Sequence, residues 1–77
     1  MSKLTKSIGK ELKMLRIASD YTLEDLSIKS KVHTSTLSRY ELGNHDMKIS
    51  TLEQIVSSYN IDTGFFMLKT LAKMREE

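Results

Sequence analysis

The chain of 77 residues has no cysteine, no proline, no tryptophan and only three glycines. Without cysteine there is no disulfide framework, no thiolate zinc site and no cysteine nucleophile. That absence fits a reducing cytoplasm, the expected location. No apolar run approaches the ~18 residues of a membrane span, and no basic leader precedes an apolar segment. A secreted, disulfide-stapled or membrane-spanning protein is therefore not expected. The alternating pattern of a half-buried strand is missing as well. No carboxylates are paired beside a base and no glycine-rich phosphate loop occurs, so an enzyme is not expected. His33 and His45 lack companion ligands at metal spacing. No metal, other cofactor or small-molecule ligand is expected.

What remains is the make-up of one small domain over residues 1–77. Hydrophobic residues are 39% and charged residues 29%, an ordinary soluble balance. A domain this short buries only ~60–65% of its unfolded surface, so its core must be used economically. The net charge of +2 says little about partners. Its distribution says more. Lys3, Lys6, Lys10, Lys13 and Arg16 are opposed only by Glu11, whereas Asp20, Glu24 and Asp25 follow in a locally acidic stretch.

The spacing of apolar residues predicts five helices and an all-α fold. The first covers about 5–19, with Ile8, Leu12, Leu15 and Ser19 on one stripe. The second starts after Thr22, a good N-cap, with Asp25 three residues on to complete a capping box. Tyr21 and Leu26 hold the staple positions around that start. Leu23 and Leu26 are expected to face inward, with Ile28 a candidate third, and the helix ends near Ser30. A third helix covers about 34–42, with His33 as N-cap, Val32 and Leu37 as staple, and Leu37 and Tyr40 inward. Gly43 supplies the left-handed residue that stops it. Ser50 is expected to cap a fourth helix, with Glu53 closing a second capping box and Leu52, Ile55, Val56 and Tyr59 as its apolar face. Asn60 is a candidate left-handed residue. Asp62 is expected to cap the fifth helix, with Ile61 and Phe66 at staple spacing, and Arg75, Glu76 and Glu77 are expected to fray.

Two short helices joined by about three residues have the spacing of a helix-turn-helix, here over about 22–42. The second helix of such a pair enters the DNA major groove with its N-terminal residues at base edges. In this chain that end reads His33, Thr34, Ser35 and Thr36, followed by Ser38 and Arg39. Hydroxyls bond base edges or phosphates, and Arg pairs best with guanine O6 and N7. These six are the candidate base contacts. Lys10, Arg16, Thr22, Leu23, Asn44 and Lys48 are the candidate phosphate contacts, with Leu23 and its helix start offering backbone N–H groups.

From Ile8 to Phe66, about three-quarters of the chain, the sequence resembles the phage repressor/Cro class of helix-turn-helix proteins, the XRE family. The resemblance rests on Tyr21-Thr22-Leu23-Glu24-Asp25-Leu26-Ser27, on Val32 through Gly43, and on Met47 through Leu52. It implies a compact five-helix lambda-repressor-like domain that binds double-stranded DNA. In the family an Arg late in the first helix pairs with a Glu ending the third, which implies a structural salt bridge between Arg16 and Glu41. Three positions depart from the pattern. Leu23 stands where the family usually has a phosphate-contacting Gln. Lys31 stands where the turn usually has Gly, and Leu42 stands where a polar residue is common. Lys31 therefore needs a left-handed conformation or a reshaped turn.

The chain's final segment also resembles the controller proteins of restriction–modification systems, short homodimeric regulators that pair through their last helix. Small phage and plasmid repressors look nearly as similar. The resemblance implies a homodimer that binds a pseudo-palindromic operator and regulates transcription. Phe65, Phe66, Leu68 and Leu71, in the last helix at about 62–75, are the candidate interface residues. Phe65 and Phe66 are adjacent and cannot both lie on one helix face, so one of them faces the core. The competing reading is an antitoxin or anti-repressor that acts mainly through a protein partner.

Overall fold

The computed structural model describes residues 2–76. Its helices are α1 (Lys3–Ala18), α2 (Leu23–Ser30), α3 (Thr34–Leu42), α4 (Ile49–Ser57) and α5 (Thr63–Arg75). No strand occurs among the described residues. Glu77, the last residue expected to fray, lies outside them, while Arg75 is still helical. α1 begins two residues earlier than its apolar stripe suggests, because the Ser2 hydroxyl accepts the Thr5 N–H at 3.0 Å.

Local chemistry sets most helix starts. Thr22 and Asp25 form the expected capping box: Thr22 Oγ1 accepts from Asp25 N–H at 3.0 Å, and Asp25 Oδ2 accepts from Thr22 N–H at 2.9 Å. That second bond holds the Asp25 carboxyl below the usual carboxylate range. Asp62 caps α5 through Phe65 N–H. The pairs Tyr21–Leu26, Val32–Leu37 and Ile61–Phe66 all bring one residue before the cap onto one inside the helix, and all six lie in or against the core.

Two expectations are overturned. Ile28 does not face inward and is 78% exposed. Leu26 is pinned to the core, and a residue two positions on lies ~200° around the helix from it. Ser50 and Glu53 do not cap α4. The helix starts earlier, at Ile49, with Lys48 as an N-cap that makes no side-chain cap bond. The Tyr40 hydroxyl accepts Lys48 N–H at 3.0 Å and fixes the backbone there, and Leu52 N–H then bonds the Lys48 carbonyl at 2.9 Å. Met47 and Leu52, both in or against the core, take the staple positions of this earlier register.

The core consists of Ile8, Leu12, Leu26, Val32, Leu37, Tyr40, Leu52, Ile55, Val56 and Phe66. α1 packs against α3 and α5, while α2 packs against α3 and α4. α1 approaches the C-terminal end of α3 closely. A Cβ on Gly9 would lie 2.5 Å from the Tyr40 carbonyl oxygen and 2.8 Å from that of Glu41. From the other side, a Cβ on Gly43 would meet Lys6 Cα at 2.8 Å, and Gly43 also has φ +68°. These are backbone atoms that cannot rotate away.

An ion pair locks the same crossing. Arg16 Nε donates to Glu41 Oε2 at 2.7 Å and its Nη2 to Oε1 at 3.1 Å, while Nη1 donates to the Tyr21 carbonyl at 2.8 Å. Both side chains are largely shielded, with 14% and 9% of their surface exposed. One guanidinium thus joins the end of α1, the approach to α2 and the end of α3.

Two stability predictions follow from this crossing. Gly9→Ala should lower the unfolding free energy by about 1–3 kcal/mol in a urea titration, because overpacking against backbone outweighs a helix-propensity gain of ~1 kcal/mol. An unchanged midpoint would mean that the two helices separate freely. Glu41→Gln should cost about 2–3 kcal/mol, between the values for exposed and fully buried pairs, since it leaves the Arg16 charge shielded without its partner. A loss under about 0.5 kcal/mol would show the pair to be as weak as a surface one.

Candidate nucleic-acid interface

α2 and α3 are joined by Lys31, Val32 and His33. Lys31 adopts the left-handed conformation that its position demands, with φ 60° and ψ 29°, and its N–H bonds the Ser27 carbonyl at 2.8 Å. The neighbouring Ser30 carbonyl accepts from Gln54 Nε2 of α4, also at 2.8 Å. Ser30 Oγ accepts the Val32 N–H at 3.2 Å. The turn is therefore held from within and from α4, while Val32 anchors it in the core.

α3 presents one face inward and one outward. Leu37 and Tyr40 are buried, and Glu41 is held by Arg16. Ser35 and Arg39 are exposed and lie four residues apart, one turn along the same face. Thr34 and Ser38 flank that face on one side and are half-buried. Thr36 is half-buried on the opposite flank, ~160° from Ser38. His33 stands at the helix start, where its Nδ1 accepts Ser35 N–H at 3.2 Å and lies 2.9 Å from Ser35 Oγ. Leu42 is exposed and continues the Ser35–Arg39 face with an apolar end.

The candidate phosphate contacts divide into three places. Thr22 and Leu23 sit at the start of α2. Thr22 spends its N–H on Asp25, and the Leu23 side chain packs against the core, so Leu23 offers only its N–H, which has no acceptor within the helix. Asn44 and Lys48 are exposed at the two ends of the loop before α4, and Lys10 is exposed on α1, a separate element. Arg16 does not stand free beside them. Each of its three guanidinium nitrogens already donates to Glu41 or to the Tyr21 carbonyl, and the hydrogen bond to Glu41 raises its pKa above the ordinary value. These three bonds give Arg16 a structural place and use three of its five N–H groups.

Beside this ion pair, Tyr59 stacks on Tyr21 with ring centroids 5.7 Å apart, and Lys29 lies 5.2 Å from the Tyr21 centroid. The Tyr59 hydroxyl is buried without a hydrogen-bond partner among the described residues. Burial, reinforced by Glu41 and opposed by Arg16, pushes its pKa up to about 12, so it stays protonated.

The expected interface on α5 divides. Phe66 is only 4% exposed and belongs to the core, because it closes the staple with Ile61. It is removed from the candidate interface. Phe65, Leu68 and Leu71 are 63%, 68% and 43% exposed, on the face turned away from Phe66 and Thr70. Phe65 also lines a groove between α5 and α1 with Met14 and Ala18. Glu11 accepts from Lys73 Nζ at 2.6 Å and ties α1 to α5 below this face. His33 and His45 join no cluster of metal-ligating residues among the described residues.

Gln54, Gly9 and the Tyr40 hydroxyl support this surface without having been singled out in the sequence. Each works through a partner that is distant along the chain or set by the crossing, and no local pattern marks it. The Met47–Leu52 staple spacing is the one sequence signal that could have placed the start of α4.

The model of a family described as a helix-turn-helix domain matches residues 7–64. Among solved structures, the wild-type restriction–modification controller protein C.Esp1396I superposes with a TM-score of 0.88 over 100% of both chains, at 22% identity. At that identity the likeness establishes the five-helix fold. No curated protein is found to match the chain. With α2, the Lys31 turn and α3 inside the matched residues, this chain belongs to the helix-turn-helix domain family, whose second helix reads the DNA major groove.

Proposed function

We propose that this protein is a sequence-specific transcriptional regulator that binds a pseudo-palindromic operator as a homodimer. The observation that carries the reading is the division of α3. Its inward residues are fixed in the core and by Arg16, while Ser35 and Arg39 share an exposed face flanked by Ser38 and Thr34. A helix locked on one side and polar on the other can enter a groove without rearranging the domain. Arg39 is assigned to a guanine edge, and His33, Thr34, Ser35, Thr36 and Ser38 to base edges or adjacent phosphate. Thr22, the Leu23 N–H, Asn44, Lys48 and Lys10 are assigned to phosphate.

One such head spans few base pairs. Two heads about one DNA turn apart, ~34 Å, multiply the site's information. Each chain is a single 1–77 domain, and its exposed Phe65, Leu68 and Leu71 support α5 as the seam between two copies. Large apolar side chains grouped on one face are uncommon on a monomer's surface. The full-length likeness to a restriction–modification controller protein favours that role over a phage or plasmid repressor. Selection of sites from random duplex DNA, with sedimentation of the complex, tests the whole reading. An inverted repeat carrying two chains is expected. A monomer that enriches no sequence would favour the antitoxin or anti-repressor reading, with α5 docking another protein.

Arg39→Ala should weaken operator binding by about 1–3 kcal/mol and weaken random-duplex binding much less. Equal losses on both duplexes would place Arg39 on phosphate. Leu68→Glu should give a folded monomer by sedimentation and circular dichroism, since residue 68 lies outside the core. A tight dimer that survives this change would take α5 out of the interface.

A further inference from the structure

The start of α3 fixes the direction of two hydrogen bonds. Ser35 N–H is a donor only, and it points at His33 Nδ1 at 3.2 Å. Nδ1 must therefore carry a lone pair, and the proton of the neutral ring must sit on Nε2. Ser35 Oγ lies 2.9 Å from the same Nδ1. Two lone pairs would repel at that distance, so the Ser35 hydroxyl must direct its hydrogen at the ring. The cap thus consumes the only hydrogen that Ser35 Oγ has and leaves its lone pairs free. Both residues are exposed, and Ser35 shares the outward face of α3 with Arg39.

From this geometry we infer that the His33 cap sets a hydrogen-bond polarity for reading DNA, with Ser35 Oγ as an acceptor and His33 Nε2–H as a donor. A free serine hydroxyl is ambiguous, since it rotates to donate or to accept and therefore matches every base. This one is not free. It takes an exocyclic amine, adenine N6 or cytosine N4, and rejects an edge that offers only acceptors. The His33 Nε2–H takes an acceptor: guanine O6 or N7, adenine N7, thymine O4 or a phosphate oxygen. His33 is then a positioning residue for Ser35 as well as a contact in its own right. The inference rests on α3 being the DNA-reading helix.

The ring proton is tested in the free protein by long-range proton–nitrogen correlation of the His33 imidazole near neutral pH. The proton is expected on Nε2, with Nδ1 unprotonated. The readout is tested by selecting sites with the wild type, Ser35→Ala and His33→Asn. Ser35→Ala should lose a preference of about fivefold or more for an amine-bearing base at one position of each half-site, and leave the other positions unchanged. Asn is as good an N-cap as any residue, so His33→Asn should keep the melting midpoint within a few degrees while losing about fivefold or more in operator affinity. A loss confined to one base would put Nε2–H on a base edge, and a uniform loss would put it on phosphate. A ring proton on Nδ1, or full base preference in Ser35→Ala, overturns the inference while the operator-binding reading stands. A wild-type chain that binds no duplex overturns that reading, and the readout falls with it whatever the ring spectrum shows.

Discussion

α1 lies across the end of α3 at a distance that two glycines make possible, and the rest of the structure is arranged around that crossing. Gly9 faces the Tyr40 and Glu41 carbonyls, and Gly43 faces the backbone of Lys6. Close approach lets Arg16 reach Glu41 with two nitrogens and the Tyr21 carbonyl with the third. The pair is shielded, so much of its Coulomb energy offsets the cost of removing two charges from water. Its use is geometric. It sets the angle at which α1, α2 and α3 meet, and with it the direction in which the outward face of α3 points.

α3 is therefore held firmly at its C-terminal end and along its inner side. The Tyr40 hydroxyl extends that hold to the start of α4 through Lys48 N–H. At the other end, the short connection from α2 is braced by Val32 in the core and by Gln54 at the Ser30 carbonyl. A non-glycine residue in the left-handed region costs roughly 1 kcal/mol, and the contacts around Lys31 offset that cost. What remains exposed is the face that carries Ser35 and Arg39. A reading surface benefits from such a division, since a rigid support lowers the ordering cost of binding.

α5 repeats the division on the far side of the molecule. Phe66 and Thr70 point into the domain, and Lys73 closes on Glu11. Phe65, Leu68 and Leu71 point out. The helix thus completes one core while offering an apolar face for another contact. The same reasoning explains why the two adjacent phenylalanines do different work. A helical step of ~100° puts one inside and the other outside.

The sequence by itself determined what depends on near neighbours. Thr22 with Asp25, Asp62, Gly43, Asn60 and the staple pairs act within five residues, and a helix repeats its geometry so regularly that such spacings have one outcome. The helix order, the turn and the outward residues of α3 were legible for that reason, and the Arg16–Glu41 pair was legible through family resemblance. Tertiary structure decided the rest. Ser50 looks like a cap until the Tyr40 hydroxyl fixes Lys48 and starts α4 sooner. Arg16 looks like a surface cation until the crossing commits three of its five N–H groups to Glu41 and the Tyr21 carbonyl. Ile28 looks apolar enough to bury until Leu26 takes the inward direction, and Phe66 leaves the interface by entering the core. Gly9 and Gln54 carry no local mark at all. In each case the deciding partner is set by how the helices cross, and a crossing depends on side chains far apart in the chain meeting at one point.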